Sequence, residues 1–160
     1  MKKIKLSQGK FALVSDTDYT YLNQWKWHVI KRRNLWHAVR HGPTKPIYMH
    51  RIILERMGFK DFERTDHKNL NGLDNYRRNL RPATTQQNGQ NRTQQINNKS
   101  GIKGVSWRKD RSKWRATIKI NGKQTHLGYF NDPLIAARAY NRAAKRYHGK
   151  FARVNHPLGV

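Results

Sequence analysis

The chain contains no cysteine, which excludes disulfide staples and thiolate zinc sites. Acidic residues are scarce as well: 9 Asp and Glu stand against 34 Lys and Arg, a formal net charge of +25. No stretch approaches the roughly 20 apolar residues of a membrane span. The start, MKKIKLSQGK, is basic but lacks the apolar core of a secretory signal. Together these absences suit an intracellular protein that does not enter membranes.

The positive charge is not confined to a tail. Residues 1–92 carry 19 basic and 7 acidic side chains, and residues 93–160 carry 15 and 2. Both halves therefore generate a field that attracts a polyanion and repels itself in its absence. Five Trp, seven Tyr and five Phe supply apolar surface that disordered basic segments lack. A folded nucleic-acid binder is the expectation, with affinity set largely by counterion release from phosphates.

Residues 85–98, TQQNGQNRTQQINN, hold nine Gln or Asn and almost nothing apolar. A domain boundary is expected here, dividing 1–94 from 95–160. In the first part, residues 11–14 read as a strand, and Ser15 or Asp16 can cap a helix through Leu22. Residues 25–30 and 35–40 flank a basic turn at 31–34 and read as a hairpin. Residues 47–57 read as a helix closed by Gly58. A loop-rich stretch follows over 65–80, then a strand at 81–84 and a helix capped by Thr84 or Thr85 and running to Arg92.

The second part alternates with period two: Trp114, Ala116, Ile118 and Ile120 against Arg115, Thr117 and Lys119. Val105 and Trp107 precede it in the same rhythm. Asn121-Gly122 is a type I′ hairpin signal, and residues 123–127 return as a third strand. Asp132 before Pro133 predicts a helix N-cap. Ala136, Ala137, Tyr140, Ala143, Ala144 and Tyr147 then line one helical face. The expected class is α+β throughout, and here a three-stranded antiparallel sheet packed on one helix.

Chemistry concentrates between residues 66 and 91. Asp66 and His67 are adjacent, so on a continuing strand they would face opposite sides. The NLNGLDN loop that follows makes a turn plausible, and a return through 79–84 would carry Asn88 back towards Asp66. A carboxylate and an amide oxygen could then hold one hard divalent cation. A neutral imidazole can take a proton from water, and a neighbouring amide can hold its other nitrogen.

The stretch YMHRII, DHKNLNGLDNYRRNLRPAT and QNGQN, within residues 48–91, resembles HNH endonucleases of the ββα-metal (His-Me) finger superfamily. It is most similar to phage and intron-borne homing enzymes, which are mobile elements. That resemblance implies an N-terminal ββα-metal domain, with Asp66 as first metal ligand and His67 as general base. It implies Asn79 as the residue orienting the base and Asn88 as the final metal position, with Asn91 one turn on as the alternative. Many relatives carry His at that last position. An oxygen donor there favours Mg²⁺ or Mn²⁺ over zinc. His50 reads as a packing residue, Trp25, Trp27 and Trp36 as core or hairpin-face aromatics, and His28, His37 and His41 show no metal-ligand spacing.

Residues 100–155, through SGIKGVSW, KWRATI, GKQTHLGYF, AARAYNRAA and GKFARVN, resemble the APETALA/ethylene-response-factor DNA-binding domain. In that family the sheet lies in the major groove of DNA, where base edges are distinguishable. The carry-over places Lys103, Ser106, Arg108, Arg115, Thr117, Lys119, Gln124 and His126 on the DNA face. Val105, Ala116, Ile118 and Leu127 would pack on the helix. The combined expectation is a site-directed DNA endonuclease acting on duplex DNA with one divalent cation per site. A monomer that nicks, without a protein partner, in the cytoplasm of a bacterial or phage-infected cell completes it. The alternative is a catalytically inactive, sequence-specific DNA-binding regulator.

Overall fold

A computed structural model describes residues 1–32 and 35–155. The chain is mixed α+β and divides into two compact units, Met1–Thr85 and Gln86–Val160. The expected boundary at 94/95 lies further along, inside the polar stretch. Among the described residues no helix is long and apolar enough to cross a membrane.

The first unit begins with a strand hidden in the basic start. β1 (Lys2–Lys5) pairs antiparallel with β2 (Phe11–Val14), because Ile4 buries its side chain while its lysine neighbours stay in solvent. α1 (Asp16–Leu22) follows directly. β3 (His28–Arg32) and β4 (Leu35–Arg40) form the expected hairpin. Its turn at Arg33 and Asn34 lies outside the described residues, and its first strand starts at His28, later than residue 25. Trp27 precedes the strand, where its indole Nε1–H donates to the Leu22 carbonyl at 2.8 Å.

The helix expected over 47–57 is shorter. Ile47 and Tyr48 form β5 instead, paired with Arg40 and Val39 of β4, and α2 (Met49–Arg56) starts only after them. Sheet pairing outweighs helical propensity for those two residues. Met49, Ile52, Ile53 and Leu54 of α2 join Ile4, Val14, Leu22, Val29 and Leu80 in one core.

The stretch expected as loop, 65–80, contains more structure than composition suggests. β6 (Arg64–His67) ends at His67. β7 (Asp74–Asn75) adds to β2 in parallel, a 3₁₀ turn covers Arg77–Asn79, and β8 (Leu80–Ala83) returns antiparallel to β6. α3 (Thr85–Gln90) is a turn and a half long, ending short of Arg92. Its first amide, on Thr85, donates to the Glu63 carboxylate at 2.9 Å, so a charge from the preceding segment caps the positive helix end.

The second unit is a meander of β9 (Val105–Arg108), β10 (Lys113–Ile120) and β11 (Lys123–Phe130), in the order β11-β10-β9. Asn121 and Gly122 both adopt positive φ, 48° and 82°, as a type I′ turn requires. β11 runs beyond the expected end at Leu127. A bulge at Leu127 shifts the register between Ala116↔Gly128 and Thr117↔His126, letting pairing continue to Phe130. α4 (Pro133–His148) is capped by Asp132, whose carboxylate accepts from Leu134 N at 2.5 Å and Ile135 N at 3.3 Å. Val105, Ala116, Ile118 and Leu127 pack against its alanine face and Tyr140.

Candidate active site and nucleic-acid interface

The candidate centre is built where β6 ends. Asp66 and His67 face Arg81 and Leu80 across the two-stranded ladder, and both are buried, at 1% and 7% exposure. β6 ends at His67, so the last two side chains of the strand lead straight into the loop. Leu70 adopts φ +65° and its amide donates to the His67 carbonyl at 2.9 Å, closing the turn.

Asparagines hold the loop from 68 to 79. Asn79 accepts from the Asn69 amide at 3.1 Å and donates to Asn69 Oδ1 at 3.0 Å and the Asp74 carbonyl at 2.7 Å. Asn69 in turn donates to the Asp74 carboxylate at 2.7 Å. Short side chains that mimic backbone groups stabilise such turns without regular structure.

The imidazole's amide partner is Asn75. Its Oδ1 lies 3.3 Å from His67 Nε2. With this oxygen towards the ring, which leaves the amide's Nδ2 buried without a hydrogen-bond partner, Nε2 is the donor and the lone pair lies on Nδ1. The structure therefore divides two tasks between two asparagines: Asn75 touches the ring, and Asn79, the residue expected to orient it, ties the loop. Asn75 is 0% exposed because β7 pairs with β2. That parallel pairing links Leu13 with Asp74 and Val14 with Asn75, far apart in sequence, and no local pattern announces it.

Burial is the main influence on His67 and depresses its pKa to about 4; the Asn75 bond and the Asp66 and Asp74 charges pull upward, while His37 adds to the depression. The ring is thus neutral at physiological pH. Asp66 Oδ2 holds the guanidinium of Arg81, 2.7 Å from Nε and 2.6 Å from Nη2. Among the described residues no group of three or more imidazoles and carboxylates could enclose a metal ion. One carboxylate, shared with an arginine, does suit a hard cation that keeps most of its waters and takes phosphate oxygens.

Behind the loop sits an ion cluster without which Arg77 would have no fixed place. Asp18, 0% exposed, accepts from Arg77 Nε at 2.7 Å, Arg77 Nη2 at 2.8 Å and Arg56 Nε at 3.0 Å. Ser15 Oγ accepts from the Arg77 amide at 3.0 Å. α1 and α2 are thereby fastened to the segment between Asn75 and Asn79.

Asn88 lies half-buried on α3, and Asn91 is buried just beyond its end. Both belong to the second unit. The same unit presents Ser106, Arg108, Arg115, Thr117, Lys119, Gln124 and His126 on one face of its sheet, as the registers Arg115↔Ser106, Thr117↔His126 and Lys119↔Gln124 require. Gln124 donates to Thr117 Oγ1 at 3.1 Å, and Arg108 pairs with Asp110 at 2.9 Å. Lys103 precedes β9 and is engaged elsewhere: its ammonium donates to the carbonyls of Gln90 and Arg92, both at 2.6 Å. Burial lowers its pKa to about 8.

Comparison with known proteins gives several relatives. Protein 3.8 of Escherichia phage T7 is 39% identical over 88 residues, 55% of this chain and 72% of that protein. An uncharacterized HNH endonuclease of Acanthamoeba polyphaga mimivirus is 30% identical over 152 residues, 92% of this chain and 76% of its own length. An AP2-like ethylene-responsive transcription factor of Arabidopsis thaliana is 38% identical over 60 residues, 38% of this chain but 12% of the plant protein. No family model and no solved structure matches.

Proposed function

The chain belongs to the HNH endonuclease family, and on that premise we propose that it is a site-directed, homing-type endonuclease hydrolysing a phosphodiester of duplex DNA. The observation that carries the reading is His67: a buried, neutral imidazole at a strand end, its Nε2 held by Asn75 and its neighbour a buried carboxylate. The β6–β8 hairpin followed by α3 is assigned as the ββα-metal element.

His67 takes a proton from water on Nδ1 as the water oxygen bonds to phosphorus. The 3′ oxygen leaves with the electron pair of the broken bond and is protonated by solvent. A base with a pKa near 4 is weak. A phosphate anion entering beside it favours imidazolium and raises that value. Asn75 keeps Nε2 protonated throughout, and Asn79 keeps the loop closed. Asp66 would hold one Mg²⁺ or Mn²⁺, with Asn88 the second ligand that the family resemblance implies, and the ion would supply Lewis-acid stabilisation of the charge on the phosphate.

The second unit is assigned as the DNA reader, with its sheet in the major groove and a nick delivered by a monomer. Docking there raises the effective concentration of the cutting element at nearby phosphates. A plasmid-nicking assay with Mg²⁺ or Mn²⁺ tests the reading. Wild type is expected to convert supercoiled DNA to the open circle, EDTA to stop it, and His67→Ala to abolish it. Equal absence of cleavage in both proteins would favour a DNA-binding regulator.

A further inference from the structure

Two more imidazoles stand beside His67, brought from two other elements of the first unit. His37 comes from β4 and His50 from α2. Ring centroids are 5.2 Å apart for His50 and His67, 5.5 Å for His37 and His50, and 6.1 Å for His37 and His67. Tyr48 borders both outer rings at 5.1 and 6.0 Å. On another side the loop backbone closes in: a Cβ on Gly72 would stand 2.3 Å from the Trp36 carbonyl and 2.8 Å from His37 Nδ1. The His37 ring is therefore held by backbone as well as by side chains.

Their buried nitrogens reveal the tautomer. Nδ1 of His37 and Nδ1 of His50 are both buried without a hydrogen-bond partner. An orphaned buried N–H is rarer than an unfilled acceptor, so the proton of each ring belongs on Nε2. No hydrogen bond among the described residues engages either Nε2. Burial first, and then the charges of Arg32 for His37 and of His67, His37 and Arg51 for His50, disfavour the cationic forms. Each ring is a neutral N–H donor beside the base, neither protonating it nor repelling a cation. In phosphodiester hydrolysis such donors suit the non-bridging oxygens, on which charge builds.

We infer that His37 and His50 are further catalytic residues of this site, donating Nε2–H hydrogen bonds to the non-bridging oxygens of the scissile phosphate. The inference rests on the nuclease reading and adds to it the groups that grip the substrate.

Glutamine places its amide nitrogen where imidazole Nε2 stood, whereas asparagine reaches only the Nδ1 position. In the full chain with Mn²⁺, His37→Ala and His37→Asn should slow single-turnover nicking by about 10²-fold, the effect of losing one preorganised donor. His37→Gln should recover at least roughly ten-fold of that loss, with the same ranking at His50. The His37 series decides alone if the His50 variants do not fold. A second readout needs neither metal nor turnover. ¹⁵N spectra of the metal-free protein should show Nε2-protonated rings at both positions, and their signals should move when a phosphorothioate duplex is added. Equal rates for the Asn and Gln variants, or rings protonated on Nδ1, would overturn the inference while leaving an active nuclease. An inactive wild type would sink the nuclease reading instead, and unmoved ring signals would then dispose of the phosphate contact as well.

Discussion

Replacing Asp18 by Asn changes one oxygen to nitrogen at the point where α1, α2 and the segment between Asn75 and Asn79 are fastened together. The wild-type carboxylate is wholly buried and receives three charge-assisted hydrogen bonds, at 2.7, 2.8 and 3.0 Å. Such bonds contribute about 1.5–3 kcal/mol each. Asparagine's remaining oxygen can keep two of the three as weaker neutral bonds, and both guanidiniums, about one-third exposed, can turn to water, so the loss falls below the full sum, at about 3 kcal/mol. That agrees with the roughly 3–5 kcal/mol for breaking a buried ion pair. For a unit of this size each kcal/mol moves the melting temperature by about 4–8 °C, so Asp18→Asn should melt roughly 12–24 °C lower. The assay is a thermal melt of the full chain by calorimetry, which separates the transition of the first unit from the second. Burial alone would raise the Asp18 pKa, but the hydrogen bonds and charges of Arg77 and Arg56 outweigh it and hold it below 3.8. The unfolded chain therefore takes up this proton first as pH falls. The contribution is complete well above pH 3.8 and fades below it, so wild type and Asp18→Asn should converge in acid. A loss under about 1 kcal/mol at neutral pH, or a gap unchanged in acid, would refute a buried clasp.

Three other outcomes follow from single contacts. Asn75→Leu keeps the branched shape but removes the acceptor on His67 Nε2, and should cut the nicking rate by about 10²-fold with little change in duplex affinity; an undiminished rate would put the orienting role elsewhere. Gly104→Ala sets a Cβ 2.1 Å from the Tyr140 ring and 2.7 Å from the Thr117 carbonyl, at φ +77°. Strain and overpacking together should destabilise the second unit by more than about 2 kcal/mol in urea unfolding, and a neutral result would mean that the helix is not seated so close. Arg115→Ala should reduce the slope of log affinity against log salt by about 0.9 if its guanidinium neutralises a phosphate. An unchanged slope, measured by gel shift across salt, would leave it a solvated side chain.

Much of the architecture was legible wherever the deciding interaction is local. Asn121-Gly122 specifies its turn because two adjacent residues must accept positive φ. Asp132-Pro133 marks a helix start because cap and first turn are neighbours in sequence. The alternation through 114–120 announces a half-buried strand, and the helix on 133–148 shows its alanine face. Where a segment borrows its conformation from a distant partner, the pattern was silent or misleading. β1 hides in a basic start, Ile47 and Tyr48 leave a helical pattern to join β4, and β7 exists only because β2 lies beside it.

Residue types and spacing, with the resemblance they carry, marked Asp66, His67, Asn79 and Asn88 as a candidate set, and alternation alone gave the second half a polar sheet face. Tertiary structure decided which atoms meet: Asn75 rather than Asn79 on the imidazole, Arg81 on Asp66, Lys103 on the carbonyls behind α3, and His37 and His50 beside His67. The physical reason is range. Turns, caps and alternation depend on torsions within a few residues, whereas a cluster drawn from β4, α2, β6 and β7 exists only once a shared core has made ordering the loops between them worthwhile.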